Sequence, residues 1–199
     1  MKMNKKLLSM TALTAALAGG FASTAQAQTA VDANATFLAA LALTKVNDME
    51  FGTVELSGAI AGGDTATMNT DGSITYGGQF SGSGTGTAGE VDITAGTDGQ
   101  VVEVLCTSTA TLSDGSSSSI DLTSIAFDVE TGTNAVGTNS CTDISTVAGT
   151  LTLAVGGGSP NDTILLSGVL DGGTNTSFVE TAHSTSTGGT PIQVDVQYQ

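Results

Sequence analysis

The sequence predicts an all-β protein, an antiparallel sandwich or barrel of short strands. Apolar residues recur at every second position in one segment after another, the period of a strand with one buried face. Breaks fall roughly every ten residues, as they do between the strands of such folds. The composition agrees, being rich in Thr, Ser and Val, with 27 Gly and only 2 Pro. Those are strand and turn residues.

Taken in order, the expected strands are "ALALTKV" (40–46), "MEFGTVEL" (49–56), "TATMN" (65–69), "GSITYGGQF" (72–80) and "GEVDITA" (89–95). They continue with "QVVEVLCTSTATL" (100–112), "SIDLTSIAFDVE" (119–130), "GTLTLAVGG" (149–157), "DTILLSGVL" (162–170), "TSFVETAHS" (176–184) and "PIQVDVQYQ" (191–199). Val91 and Ile93 should share a face, as should Val102, Val104 and Cys106, and Leu151, Leu153 and Val155. Asp71-Gly72, Asp98-Gly99, Asp114-Gly115 and Asp171-Gly172 read as turns, because glycine supplies the positive φ that tight hairpins need. Read as calcium ligands they lack a surrounding Asp-x-Asp-x-Asp loop. Gly84, Gly86 and Gly89 match a dinucleotide fingerprint in spacing, but a strand rather than a helix is expected after them, so the match is chance.

Residues 1–27 have the form of a secretory signal peptide: Lys2, Lys5 and Lys6, then an apolar stretch, then "AQA" at Ala25–Ala27. The expected organisation is therefore a removed signal over 1–27, an N-terminal extension over 28–39 and a single domain over 40–199. Three of the four basic residues lie in the signal. The remainder keeps Lys45 against 19 Asp and Glu. Nucleic-acid binding is excluded for want of Lys and Arg to meet phosphates, and no later segment is apolar enough for membrane insertion. An exported chain meets an oxidising compartment, so Cys106 and Cys141 should form a disulfide worth roughly 3–4 kcal/mol. No cofactor or metal is expected.

Catalytic patterns are sparse. His183 is the one histidine, and it reads as a loop or strand-end residue. No Gly-x-Ser-x-Gly elbow is present. A carboxylate pair converging in space would not be visible in spacing, but the chain is not expected to be an enzyme.

The two ends stand out. In "TAVDANATFLA" (29–39), Val31, Ala33, Ala35, Phe37 and Ala39 lie on one face, with Asp32, Asn34 and Thr36 between them. In "PIQVDVQYQ", Ile192, Val194, Val196 and Tyr198 face one way, and Gln193, Asp195, Gln197 and Gln199 the other. These ends resemble those of chaperone–usher pilus subunits, which have an alternating N-terminal extension and a final strand with a penultimate Tyr. The chain is also similar to the bacterial exported family called domain of unknown function 4402. That family has a "plsltk…lnFGt" opening, matched by "LALTKVNDMEFGTV", and an "aGevtItg" strand, matched by "AGEVDITAG". Cys106 and Cys141 depart from the pilin pattern in lying mid-chain.

The resemblance implies a pilin-like, immunoglobulin-like antiparallel sandwich lacking one strand, which a neighbour supplies in trans. It implies a structural subunit of a cell-surface filament, assembled by donor-strand complementation with identical or related subunits. Transit would be through the periplasm, with a periplasmic chaperone and an outer-membrane usher as partners. Val31, Ala33, Ala35, Phe37 and Ala39 would form the donor strand. Ile192, Val194, Val196 and Tyr198 would line the groove or meet the chaperone. The alternative is a monomeric secreted sandwich that binds a glycan or calcium, with its opening strand folded into its own core.

Overall fold

The computed structural model describes residues 34–130, 136–154, 162–173 and 181–199, without the side chains of 136–138. The expected signal peptide (1–27), Val31, Ala33, Val155 and residues 176–180 lie outside the described residues. The chain divides into two units, Met1–Thr36 and Phe37–Gln199. Of the first, residues 34–36 are described, and they are exposed and outside any strand.

The second unit is all-β, with antiparallel pairing between its strands and no α-helix among the described residues. Its strands are β1 (Ala42–Asn47), β2 (Val54–Leu56), β3 (Thr65–Met68), β4 (Ile74–Gly77), β5 (Phe80–Gly82), β6 (Gly89–Ala95) and β7 (Val101–Cys106). Then follow β8 (Ala110–Ser113), β9 (Ser119–Glu130), β10 (Val136–Ser140), β11 (Val147–Thr152), β12 (Asp162–Asp171) and β13 (Val194–Tyr198).

Two long strands organise the large sheet. β9 and β12 pair along most of their length. The other edge of β12 is shared, its first half pairing with β6 and its second half with β3. β9 likewise pairs with β8 near its start and β10 near its end. β1 extends the sheet beyond β6, and β4 beyond β3. A second sheet has the order β11-β7-β13, and β2 pairs with β5 in a short ribbon.

Both larger sheets contribute to one core. Phe127, Ile93, Leu122 and Ile164 enter it from the large sheet, and Val102, Val104, Leu151 and Val196 from the small one. The expected faces are present: Val102, Val104 and Cys106 are buried together, as are Leu151 and Leu153, while Val91 is half-buried beside buried Ile93. Gly149 on β11 makes room where the sheets meet, since a Cβ there would lie 2.9 Å from Cζ of Phe127. Cys106, the last residue of β7, bonds to Cys141, just after β10, so the disulfide ties the two sheets together.

The turns follow the Asp-Gly expectation with one exception. Gly72, Gly99 and Gly115 have positive φ. At Asp171-Gly172 the positive φ belongs to Gly173, whose N–H donates to the Asp171 carboxylate. Gly172 instead lets the backbone pass Ile60, which a Cβ would approach to 2.8 Å. After Gly84 and Gly86 comes β6, a strand.

Among the described residues two aspartates are buried. Asp64 is fully engaged, accepting from the N–H of Ala61 at 2.7 Å and of Gln79 at 2.9 Å. Asp162, 1% exposed at the start of β12, accepts from Ala154 N–H at 3.0 Å through one oxygen. Its other oxygen has no hydrogen-bond partner. Burial pushes the Asp162 carboxyl above the ordinary 3.8, against the lowering effect of the Ala154 hydrogen bond. The fold therefore favours the protonated form. That stabilisation is complete below the ordinary carboxylate pKa and is lost as pH rises through the raised value. Asp162→Asn removes the titration. Wild type is expected to lose stability relative to this variant as pH rises from acid to neutral, and urea unfolding of both proteins across that range checks the sign. A pH-independent difference would contradict it.

Candidate functional site

The alternation in the last strand places its side chains as expected. Ile192, Val194 and Tyr198 are half-buried against the core, Val196 is buried, and Asp195 and Gln197 are exposed. β13 pairs antiparallel with β7. Thr107 N–H donates to the Gln193 carbonyl at 3.1 Å, and Gln199 N–H donates to the Val101 carbonyl at 3.2 Å. Those two bonds set the parity of the ladder. The backbone groups of Asp195 and Gln197 point at β7, and those of Val194, Val196 and Tyr198 point away from it. No strand pairs with that outer edge among the described residues. An open edge is a template for another strand.

Tyr198 also holds the N-terminal segment. Its hydroxyl donates to the Ala39 carbonyl at 2.7 Å and accepts from Thr97 N–H at 2.7 Å. Ala39 N–H donates to Thr97 Oγ1 at 2.7 Å. Ala39 thus lies beside the C-terminal end of β13. Beyond this anchor residues 34–38 belong to no strand. Ala35 is exposed, and Phe37 is 91% exposed. Leu38 beside it is also exposed. Of the expected donor residues, the structure describes Ala35, Phe37 and Ala39. Among the described residues regular pairing begins at β1, where Leu43 opposes Ile93.

His183 has a partner that spacing did not reveal. Its Nε2 lies 2.8 Å from Ser118 Oγ, and its Nδ1 lies 2.8 Å from the Thr181 carbonyl. A carbonyl only accepts, so in the neutral ring Nδ1 carries the proton and Nε2 accepts from the serine hydroxyl. A nucleophilic serine uses such a pair, but Ser118 is 1% exposed and its oxygen is closed to a substrate. The pair clasps the β8–β9 hairpin to the loop before β13. The bridge between Ser113 and Ser184 reinforces it.

The turn aspartates are engaged locally. Asp71 accepts from Ser73 N–H and Oγ, and Asp143 does the same with Ser145. Asp114 accepts from the N–H groups of Ser116 and Ser118. These bonds hold all three carboxyls below the ordinary range. No group of three or more His, Cys, Asp or Glu side chains suited to a metal gathers among the described residues.

No curated protein and no solved structure matches the chain. The model of the family described as "Domain of unknown function (DUF4402)" matches residues 41–161. That span runs from just before β1 to just before β12 and covers more than half the chain, which therefore belongs to the DUF4402 family.

Proposed function

We propose that the protein is a structural subunit of a bacterial surface filament, assembled by donor-strand complementation. One observation carries this reading: a single chain offers both halves of a strand-addition joint. One half is the alternating apolar segment at 29–39, whose largest side chain, Phe37, finds no cover in its own domain. The other is the outer edge of β13, whose core-facing side chains are apolar and whose outward backbone groups lack a strand partner among the described residues.

On this reading the two sheets form a pilin-like, immunoglobulin-like sandwich with one strand missing, and the missing strand belongs beside β13. Val31, Ala33, Ala35, Phe37 and Ala39 of one subunit pair with the edge of the next. Main-chain bonds supply affinity and the alternate apolar side chains supply register. Head-to-tail repetition builds an open filament. Before assembly, a periplasmic chaperone covers the edge and an outer-membrane usher exchanges it for the next subunit.

The Tyr198–Ala39 hydrogen bond favours a second reading. It ties Ala39 to its own β13, and a segment folded back in cis from there would give a complete monomer that binds a glycan or calcium. The exposure of Phe37 weighs against this. Electron microscopy of surface extracts from the producing cell tests the choice. Filaments labelled by an antibody to this chain are expected. Extracts containing the chain only as monomer would contradict the proposal.

A further inference from the structure

The open edge of β13 is not bare. Of its outward groups, the Val196 N–H is already taken by the carboxylate of Asp195, the preceding residue, at 2.8 Å. The bond is local and sits at the middle of the strand. The same device occurs at Asp128, whose carboxylate accepts from Val129 N–H at 2.8 Å. There the parity of the β9–β10 ladder, set by the Cys141 N–H to Ile125 carbonyl bond, directs Val129 at β10. The ladder is interrupted at that point by the register shift between Val136 and Asn139. In this chain, then, an aspartate caps the next residue's N–H where the ladder is broken at Val129 and on the unpaired side of β13 at Val196.

We propose that Asp195 guards the β13 edge and sets the rate at which a strand from a second copy of this chain is added. The inference rests on the donor-strand reading and deepens it. A strand arriving beside β13 needs the Val196 N–H as a ladder donor, because Val194, Val196 and Tyr198 alone direct backbone groups outward. The Asp195 carboxylate must swing away first. Asp195 is exposed, so its carboxylate moves into water without disturbing the core. The cap thus blocks casual edge-to-edge pairing, yet releases when apolar side chains on the incoming strand repay the exchange. The occupant is residues 29–39 of a second copy, because Phe37 is the most exposed large apolar side chain among the described residues.

The test uses a fluorescent peptide, TAVDANATFLA, added to the chain from Gln28 to Gln199 carrying Phe37→Asp, so that its own extension does not occupy the joint. Uptake is followed by anisotropy for this parent, wild type at the β13 edge, and for Asp195→Ala, Asp195→Asn and Asp128→Ala made in it. Asp195→Ala frees the N–H and should take up peptide about fivefold faster, the factor an ordinary net hydrogen bond represents. Asp195→Asn keeps an oxygen that accepts the same bond and should stay close to wild type. Asp128→Ala lies in the other sheet and should leave the rate unchanged. Thermal unfolding of each variant before peptide is added separates a rate effect from a damaged fold. Equal uptake by wild type and Asp195→Ala overturns the guard and leaves the donor-strand reading standing. Asp195→Asn as fast as Asp195→Ala assigns the effect to charge and also overturns it. No uptake by any of the proteins overturns both.

Discussion

Phe37→Asp is expected to abolish assembly while leaving the domain folded. Phe37 is 91% exposed in its own chain, so replacing it removes little packing from the monomer. In a joint beside β13 it would be the largest donor side chain, and its burial would contribute about 1.5–3 kcal/mol. Aspartate forfeits that contribution and adds the cost of an unpaired buried charge, several kcal/mol more. Together the two terms reduce joint formation by at least about a thousandfold. Mass measurement of the chain from Gln28 to Gln199 and its thermal unfolding check both halves: multimers lost, unfolding midpoint kept. Multimers persisting at the wild-type level would place the joint elsewhere.

Breaking the Cys106–Cys141 disulfide is expected to give the largest loss of stability. The two residues are 35 apart in sequence, with a Cα–Cα distance of 5.1 Å. Closing a loop of that length restricts the unfolded chain by about 3–4 kcal/mol in the chain-entropy model. The position adds to the effect, since the bond joins the end of β7 to the residue after β10 and so couples the two sheets. Its sulfurs are buried, so serine at either position would bring a hydroxyl into an apolar site. The double Cys→Ala variant isolates the cross-link. Its midpoint should fall by about 10 °C, the shift such a loss produces in a domain of this size. A fall below about 3 °C would mean that packing alone couples the sheets.

The features legible in the sequence were those with a local cause. The alternation of Val194, Val196 and Tyr198 reflects one buried face, and the structure buries that face. The pairing of two cysteines needed only a compartment. What stayed hidden depended on distance. β10, "VGTNS", lacks an alternating apolar pattern, and was not expected as a strand; the long edge of β9 recruits it. The sharing of one edge of β12 between β6 and β3 cannot be read from a single segment. Asp162 resembles any surface aspartate until Ala154 and the core close over it. His183 and Ser118 are 65 residues apart and meet only through the hairpin and the loop. The β13 edge was legible as an unusual strand, but the Asp195 cap on Val196 was not, because whether an N–H is free depends on its neighbour strands.

The most direct test moves the extension. Two proteins are exported and compared by mass and thermal unfolding. The first is the chain from Gln28 to Gln199. The second lacks residues 28–39 at its start and carries them on a short Gly/Ser linker after Gln199. The donor-strand account predicts SDS-resistant multimers, or insolubility without a chaperone, for the first, and a more stable monomer for the second. A stable monomer from the first, destabilised when the segment is moved, would contradict the account and return the segment to its own core.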